Sequence, residues 1–450
     1  MGLDRNIVVI ELGSSSVRAM IGQKKVDGTL QVLGYEKESI VDSIHKGVVY
    51  NIDKTTQAIV AVIGRIEERQ RIYVNKVYVG LTGQSLMGMD NSVSRPLDGQ
   101  ESVTVSILDN LMDINLTTEY PGREILEVIP QEYVCGSRKE TDPVGVITDQ
   151  IEAHYKNIVA RTALQENMHR SMENSKHKVA GTPITPLVLA NYLLSEAERR
   201  SGCALVDFGA ETTTVSVFTK GILRHLVVIP LGGNAITADI AACLHIEQNE
   251  AENLKITYGQ AYTPEEVNAP ASIRITGDRE VSRATLQNLI EARQQEIIAN
   301  VWEQIKPYAD SLMSGIIFTG CAAKMKNLEL AFAKYHDYDK VKTRLMPSNP
   351  EFTTSLHLDP SSNIATLVAI MMTGEEECVS ERPTEPDLFD NAKEDPIFGQ
   401  QPATEEAAEA DTPEPEPEPK PEPEKPKRPS AFSRFLKGMK KVAQSLVEEN

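Results

Sequence analysis

Two stretches of the chain place a carboxylate, a glycine and hydroxyls at the tip of a strand–turn–strand pattern. In residues 204–234 an apolar run ends on Asp207, Gly209 follows, and from Thr212 polar and apolar residues alternate to 217. That is the signature of a hairpin. Gly209 lets backbone N–H groups approach an anion closely, and Asp207 has the chemistry to hold the metal ion that accompanies it. Residues 223–229 read as a third strand. Gly232, Gly233 and Asn234 then open a helical pattern whose free N–H groups suit a phosphate. An ordinary glycine-containing β-meander has the same local pattern.

A second copy of the motif lies near the start. The apolar run 7–10 leads to Glu11, Gly13 follows, Ser14, Ser15 and Ser16 take the place of the threonines, and a strand resumes over 17–21. Two such hairpins facing one another would clamp a phosphate chain from both sides. A third piece, 315–324, reads as strand, glycine turn and helix start, with Gly320, Cys321 and Lys324 able to seat an adenine or ribose.

These three pieces, in this order, resemble the α/β fold of actin, Hsp70 and sugar kinases, in which two ribonuclease-H-like halves enclose a nucleotide. The resemblance narrows at Leu223-Arg224-His225, at Ile229 to Asn234, at Ile129-Pro130-Gln131-Glu132-Tyr133 and at Asp142-Pro143-Val144-Gly145. These look like the FtsA family of bacterial division proteins, over roughly residues 7–374. The resemblance implies ATP as ligand, with Mg2+ held through water by Glu11 and Asp207. It also implies that Glu252 and Lys255, three apart on one helix face, reach ribose and base; a surface ion pair is the other reading. Implied partners are FtsZ, gripped by its C-terminal peptide on subdomain 2B, further copies of the chain, later division proteins and an anionic membrane surface. The implied location is the cytoplasmic face of the inner membrane at the septum, as a peripheral protein.

Four positions depart from the family pattern. Glu11 stands for aspartate, Ser16 for lysine, Ala210-Glu211 for a Gly-Gly pair, and Cys321 for glycine. A Cβ at 210 and 211 restricts positive φ, and the Glu211 charge would oppose phosphate, so turnover is expected to be slow or absent. No catalytic residue is assigned. An ATP-dependent kinase or chaperone of the same fold, and a PilM-like pilus-assembly adaptor, are the alternatives. The replaced glycines and the basic tail argue against the first, and the linker and tail against the second.

Charge is unevenly placed. The whole chain carries −19, residues 375–424 carry −15, and 425–450 carry +5. An acidic body lacks the basic face that nucleic-acid binding requires. The five cysteines form no metal or redox spacing and suit a reducing compartment. No signal segment opens the chain, and no apolar run approaches the ~20 residues that span a bilayer.

The elements that must position the hairpins follow in order. Residues 1–83 form the first part of subdomain 1A, with a helix over 53–70 capped by Asn51 or Asp53. Residues 84–163 are an inserted α+β unit, 1C, serving contacts between copies. Residues 164–200 return to 1A through a helix at 186–199, and 201–235 begin 2A. Subdomain 2B spans 236–314, ending in a long helix over 284–314. Residues 315–350 complete 2A, and 351–377 complete 1A. Residues 378–429 hold 12 of the chain's 25 prolines and read as an extended acidic linker. The tail, 430–450, is an amphipathic helix. Phe432, Phe435, Leu436, Met439, Val442, Leu446 and Val447 share one face, flanked by Arg434, Lys437, Lys440 and Lys441, the pattern of a helix lying on an anionic membrane.

Overall fold

Strand Cys203–Phe208 shows how the alternation in the sequence builds the molecule. Cys203 and Leu205 belong to one cluster of buried side chains, and Ala204, Val206 and Phe208 to a second, the period of two that a strand imposes. The strand is therefore buried on both faces. The computed structural model describes residues 4–264, 272–275, 279–336, 341–346, 353–354 and 364–381. The tail and all but the first residues of the acidic linker lie outside them.

One strand plan occurs twice. The first half orders its strands Lys178–Gly181, Lys76–Gly80, Arg5–Leu12, Ser16–Lys24, Leu30–Ser39, and the second Thr343–Leu345, Ile316–Thr319, Cys203–Phe208, Thr213–Thr219, Ile222–Ile229. In each half the first three strands of the sequence pair antiparallel and two later strands add in parallel. Thr353–Thr354 extends the edge of the first sheet. This duplication is the actin-like architecture expected from the hairpins.

Helices cover the sheets where their apolar stripes dictate. Ile52–Gln70 starts at Asn51, whose side chain accepts from the Lys54 N–H at 3.0 Å. It buries Ile59, Val62, Ile63 and Ile66 against the first sheet, each contributing roughly 1.5–3 kcal/mol. Ala365–Thr373 is buried almost throughout and packs on Arg5–Leu12.

Three expectations are corrected. The helix read over 186–199 is two helices, Thr185–Leu193 and Glu196–Ser201, because Ser195 and Glu198 form a capping box that starts a new helix. The long helix ends at Ile305 and tightens into a 3-10 turn, Lys306–Ser311, with Pro307 in it. The linker does not begin at 378. Cys378 is fully buried and Val379–Glu381 pairs antiparallel with Ile72–Val74, so the folded body runs to Glu381. The acidic composition beginning at 375 obscured this short strand. Here the Glu375 and Glu376 N–H groups donate to the Tyr78 hydroxyl, and Glu377 accepts from the Asn6 N–H.

The insertion is one helix, Val105–Leu116, with a four-stranded antiparallel sheet ordered Arg138–Glu140, Glu124–Cys135, Ile147–Ala160, Met87–Ser102. Its sheet continues into that of the second half, where Met87 pairs with Val227. Two motifs singled out in the sequence meet at this joint. Arg224 Nη2 donates to Glu132 Oε1 at 3.2 Å, and both side chains are mostly buried. Burial disfavours the Glu132 charge, but Arg224 and Lys139 outweigh it and hold its pKa below the usual carboxylate value. Glu132→Arg should destabilise the protein by about 1 kcal/mol, and Arg224→Glu should recover part of that in the double variant. Urea midpoints of the four proteins measure it. Strict additivity would show that the pair has no coupling.

Candidate functional site

Hairpin register brings the first charges together. The turn after Leu12 sets Leu12 opposite Val17 and Glu11 opposite Arg18, and the Arg18 guanidinium donates to Glu11 Oε1. Glu11 Oε2 is buried with no hydrogen-bond partner. Burial disfavours the Arg18 charge, but Glu11, Cys321 and Tyr35 outweigh it, so its pKa lies above the ordinary value. Arg18 was missed in the sequence. Its signal was available, because counting outward from the turn pairs it with Glu11.

Asp207 is the penultimate residue of the central strand of the facing half, Cys203–Phe208. Burial pushes its carboxyl up, Glu11 adds to the effect and Arg18 opposes it, leaving it at about 6. The two predicted metal-holding carboxylates are thus close enough to repel. A divalent cation between them would answer both the repulsion and the unpartnered Glu11 oxygen. Among the described residues no group of three or more His, Cys, Asp or Glu could hold a metal directly. Two carboxylates, with water completing the shell, suit magnesium.

The remaining loops gather around Asp207. Gly320 has φ +98, and a Cβ there would meet the Phe208 carbonyl and lie 2.5 Å from Asp207 Oδ1. Only glycine fits between this loop and the carboxylate. Cys321 is exposed beside it, and Lys324 lies in the following 3-10 turn, Ala322–Lys324, which replaces the helix start expected here. In the first hairpin the Gly13 N–H donates to Ser16 O at 3.1 Å, Ser14 Oγ accepts from the Gly47 N–H at 3.0 Å, and the Ser15 side chain is exposed. In the second, the Gly209 N–H donates to Thr212 O at 2.8 Å.

The helix start at Gly232 departs from expectation. The Gly233 and Asn234 N–H groups donate to Gly209 O and Ala210 O, at 3.0 and 2.6 Å. They are therefore satisfied by the neighbouring loop and do not face a phosphate. Helix donors take the nearest acceptors, and the tight second hairpin offers its carbonyls. Lys255 fixes this arrangement. Its Nζ donates to Gly233 O at 3.0 Å and Thr237 Oγ1 at 2.8 Å, with Glu252 Oε2 at 2.7 Å. Glu252 and Lys255 are therefore more than a surface pair, since Lys255 secures the loop. Thr237, which completes this set, had no signal in the sequence.

Glu211 is also corrected. Neither Ala210 nor Glu211 adopts positive φ, so their side chains cause no backbone strain. The Glu211 carboxylate accepts from the Lys46 N–H at 2.6 Å and lies 4.0 Å from His45 Nδ1, both on the first half. The argument that its charge slows turnover falls away. The predicted membrane residues, Phe432 to Val447, lie outside the described residues.

A duplicated ribonuclease-H-like plan with two carboxylate-bearing hairpins turned toward each other defines an actin-like protein. In agreement, the chain is similar in fold to the solved PilM–PilN type IV pilus biogenesis complex (TM-score 0.56, 13% identity, covering 81% of this chain and 96% of that one). The family profile described as "Cell division protein FtsA" matches residues 204–356, and that of the "SHS2 domain inserted in FTSA" matches residues 83–159. FtsA of Porphyromonas gingivalis is 28% identical over 337 residues, covering 72% of this chain and 70% of that protein. FtsA of Pseudomonas aeruginosa is 28% identical over 340 residues, covering 73% and 81%. The chain belongs to the FtsA family of cell division proteins and carries the family's SHS2 insertion. Among the described residues, no helix is long and apolar enough to cross a membrane.

Proposed function

We propose that the chain binds Mg·ATP between its two hairpins, self-associates through the SHS2 insertion and holds FtsZ to the cytoplasmic membrane through its C-terminal segment. The convergence of Glu11, Arg18 and Asp207 with the Gly209 and Gly320 loops carries the nucleotide reading. When bound, the magnesium ion would supply positive charge near Glu11 and Asp207. Glu11 and Asp207 would hold the metal through its water shell, Arg18 balances their charge, and the loops exclude bulk. Subdomain 2B, 236–314, takes the FtsZ C-terminal peptide, as the family resemblance implies. The apolar face of 430–447 with its flanking bases takes the anionic lipid, which places the protein peripherally at the septum.

Calorimetric titration of the full chain tests the nucleotide reading. Saturable heat with Mg·ATP, reduced when EDTA removes the metal, is expected. No binding by a folded chain would sink the reading.

Self-association needs a deletion that spares the core. Leu86, Ile158 and Ala160 belong to the buried cluster that joins the first half to one face of the second half's sheet, so removing 84–163 would open it. Residues Asp90 and Lys156 are cross-strand partners, and a two-residue Asn-Gly turn between them closes the hairpin. This shortened chain should keep Mg·ATP binding and lose sedimentable assembly on lipid. Assembly at the parent level would reject the insertion as the self-contact.

A further inference from the structure

The loop between Gly209 and Thr212 carries a carboxylate, Glu211, that reaches the opposite half. The receiving element is the tight turn between Ile44–His45 and Val48–Val49. Lys46 (φ +51) and Gly47 (φ +78) are both left-handed there, so successive N–H groups turn toward one concavity. The Lys46 N–H donates to Glu211 Oε2 at 2.6 Å, and the Gly47 N–H donates to Ser14 Oγ in the first hairpin at 3.0 Å.

The turn is seated firmly on the first half. Lys46 O accepts from the Gln84 N–H at 2.9 Å, and a Cβ at Gly47 would lie 2.8 Å from Gly83 Cα. Glu211 is held equally firmly on the second half. It follows Ala210, whose carbonyl accepts from the Asn234 N–H, and precedes Thr212, whose carbonyl accepts from the Gly209 N–H. The Glu211 side chain is 24% exposed and Lys46 lies at the surface, so the charge-assisted bond is open to water on one side.

We propose that Glu211 is a positioning residue that ties the second phosphate hairpin to the Lys46 turn and so sets how long a nucleotide stays. This rests on the reading of the cleft as a nucleotide site. Separating the two halves for exchange breaks the Glu211–Lys46 bond, and a glycine at 211 has no side chain to make it. The bond ties this side of the cleft shut without any nucleotide.

Two measurements on the full chain test this, with the parent, Glu211→Ala and Glu211→Gln compared after thermal melting confirms folding. The first is amide hydrogen exchange of the peptide spanning 44–50 without nucleotide. The second is the release rate of magnesium N-methylanthraniloyl-ATP. Glu211→Ala should exchange faster at 44–50 and release the analogue on the order of tenfold faster, since one charge-assisted bond is lost. Glu211→Gln keeps an acceptor and should fall between Ala and parent in both. Unchanged protection at 44–50 in Glu211→Ala overturns the tie. Unchanged release, with protection lost, overturns its role in nucleotide retention. If the parent binds no analogue, the nucleotide reading fails, and with it the retention claim. Exchange at 44–50 then decides the tie alone.

Discussion

Asp207→Asn is expected to melt at a higher temperature than the parent without nucleotide and at a lower one with saturating Mg·ATP. The first half follows from the raised pKa. Asp207 titrates at about 6 in the folded chain, against an ordinary value of 3.8, because burial and Glu11 disfavour its charge. Below about pH 4 both states are protonated and nothing is lost. As pH rises through the window from about 4 to 6, the unfolded chain ionises first, and folding loses stability. Above 6 the loss is complete, at about 3 kcal/mol for a shift of about two units. Asparagine removes that charge at neutral pH and should raise the melting temperature by a few degrees.

The second half follows from the ligand. Mg·ATP stabilises by mass action in proportion to its affinity, and the asparagine side chain offers the metal no anionic oxygen. Affinity should fall by more than about two orders of magnitude, which at about 1.4 kcal/mol per tenfold exceeds the ~3 kcal/mol gained without nucleotide. The ligand-induced rise should therefore shrink and reverse the order of the two proteins. Scanning fluorimetry at pH 7.5 shows the crossing, and at pH 5 the nucleotide-free gap should narrow as Asp207 takes up its proton. An equal Mg·ATP shift in both proteins would remove Asp207 from the site.

Phe435→Glu is expected to abolish membrane attachment while leaving Mg·ATP binding unaltered. Read as a helix, residues 430–447 would set two phenylalanines, two leucines, a methionine and two valines on one face. Full burial of such side chains is favourable by roughly 1.5–3 kcal/mol each, but an interfacial helix buries them only in part. Ordering the segment offsets more, at roughly 1–2 kcal/mol per residue. Each base near an anionic surface contributes about 1 kcal/mol, and Glu448 and Glu449 subtract from that. Neither contribution suffices alone, because residues 375–424 carry −15 and are repelled by the same surface. A carboxylate in the middle of the apolar face therefore tips the balance. Lys440→Glu with Lys441→Glu should weaken attachment and flatten its salt dependence. Flotation with anionic and neutral liposomes separates these outcomes. A Phe435→Glu protein that floats like the parent would show that membrane attachment does not run through this segment.

What could be read from the chain alone was local. The duplicated hairpins were legible because carboxylate, glycine and hydroxyl sit within a few residues and strands alternate with a period of two. The helix Ile52–Gln70 and its Asn51 cap were legible because period and cap are also short-range. Even Arg18, though missed, was within reach, since a tight turn dictates who stands opposite Glu11. The Ser195 capping box was equally local and was overlooked.

Distant polar pairings were decided only in three dimensions. Glu211 finds the Lys46 N–H 165 residues away, Arg224 finds Glu132 across 92, and Val379–Glu381 finds a partner strand near residue 73. The insertion joins the second half's sheet through Met87 and Val227. Apolar residues announce their burial by periodicity, because every one of them avoids water in the same way. A single charged side chain has no such pattern. Its sign at 211 suggested repulsion of phosphate, but its direction depends on which donor the folded backbone presents. Here that donor is a left-handed turn on the opposite half, which exists as a partner only once both halves have folded.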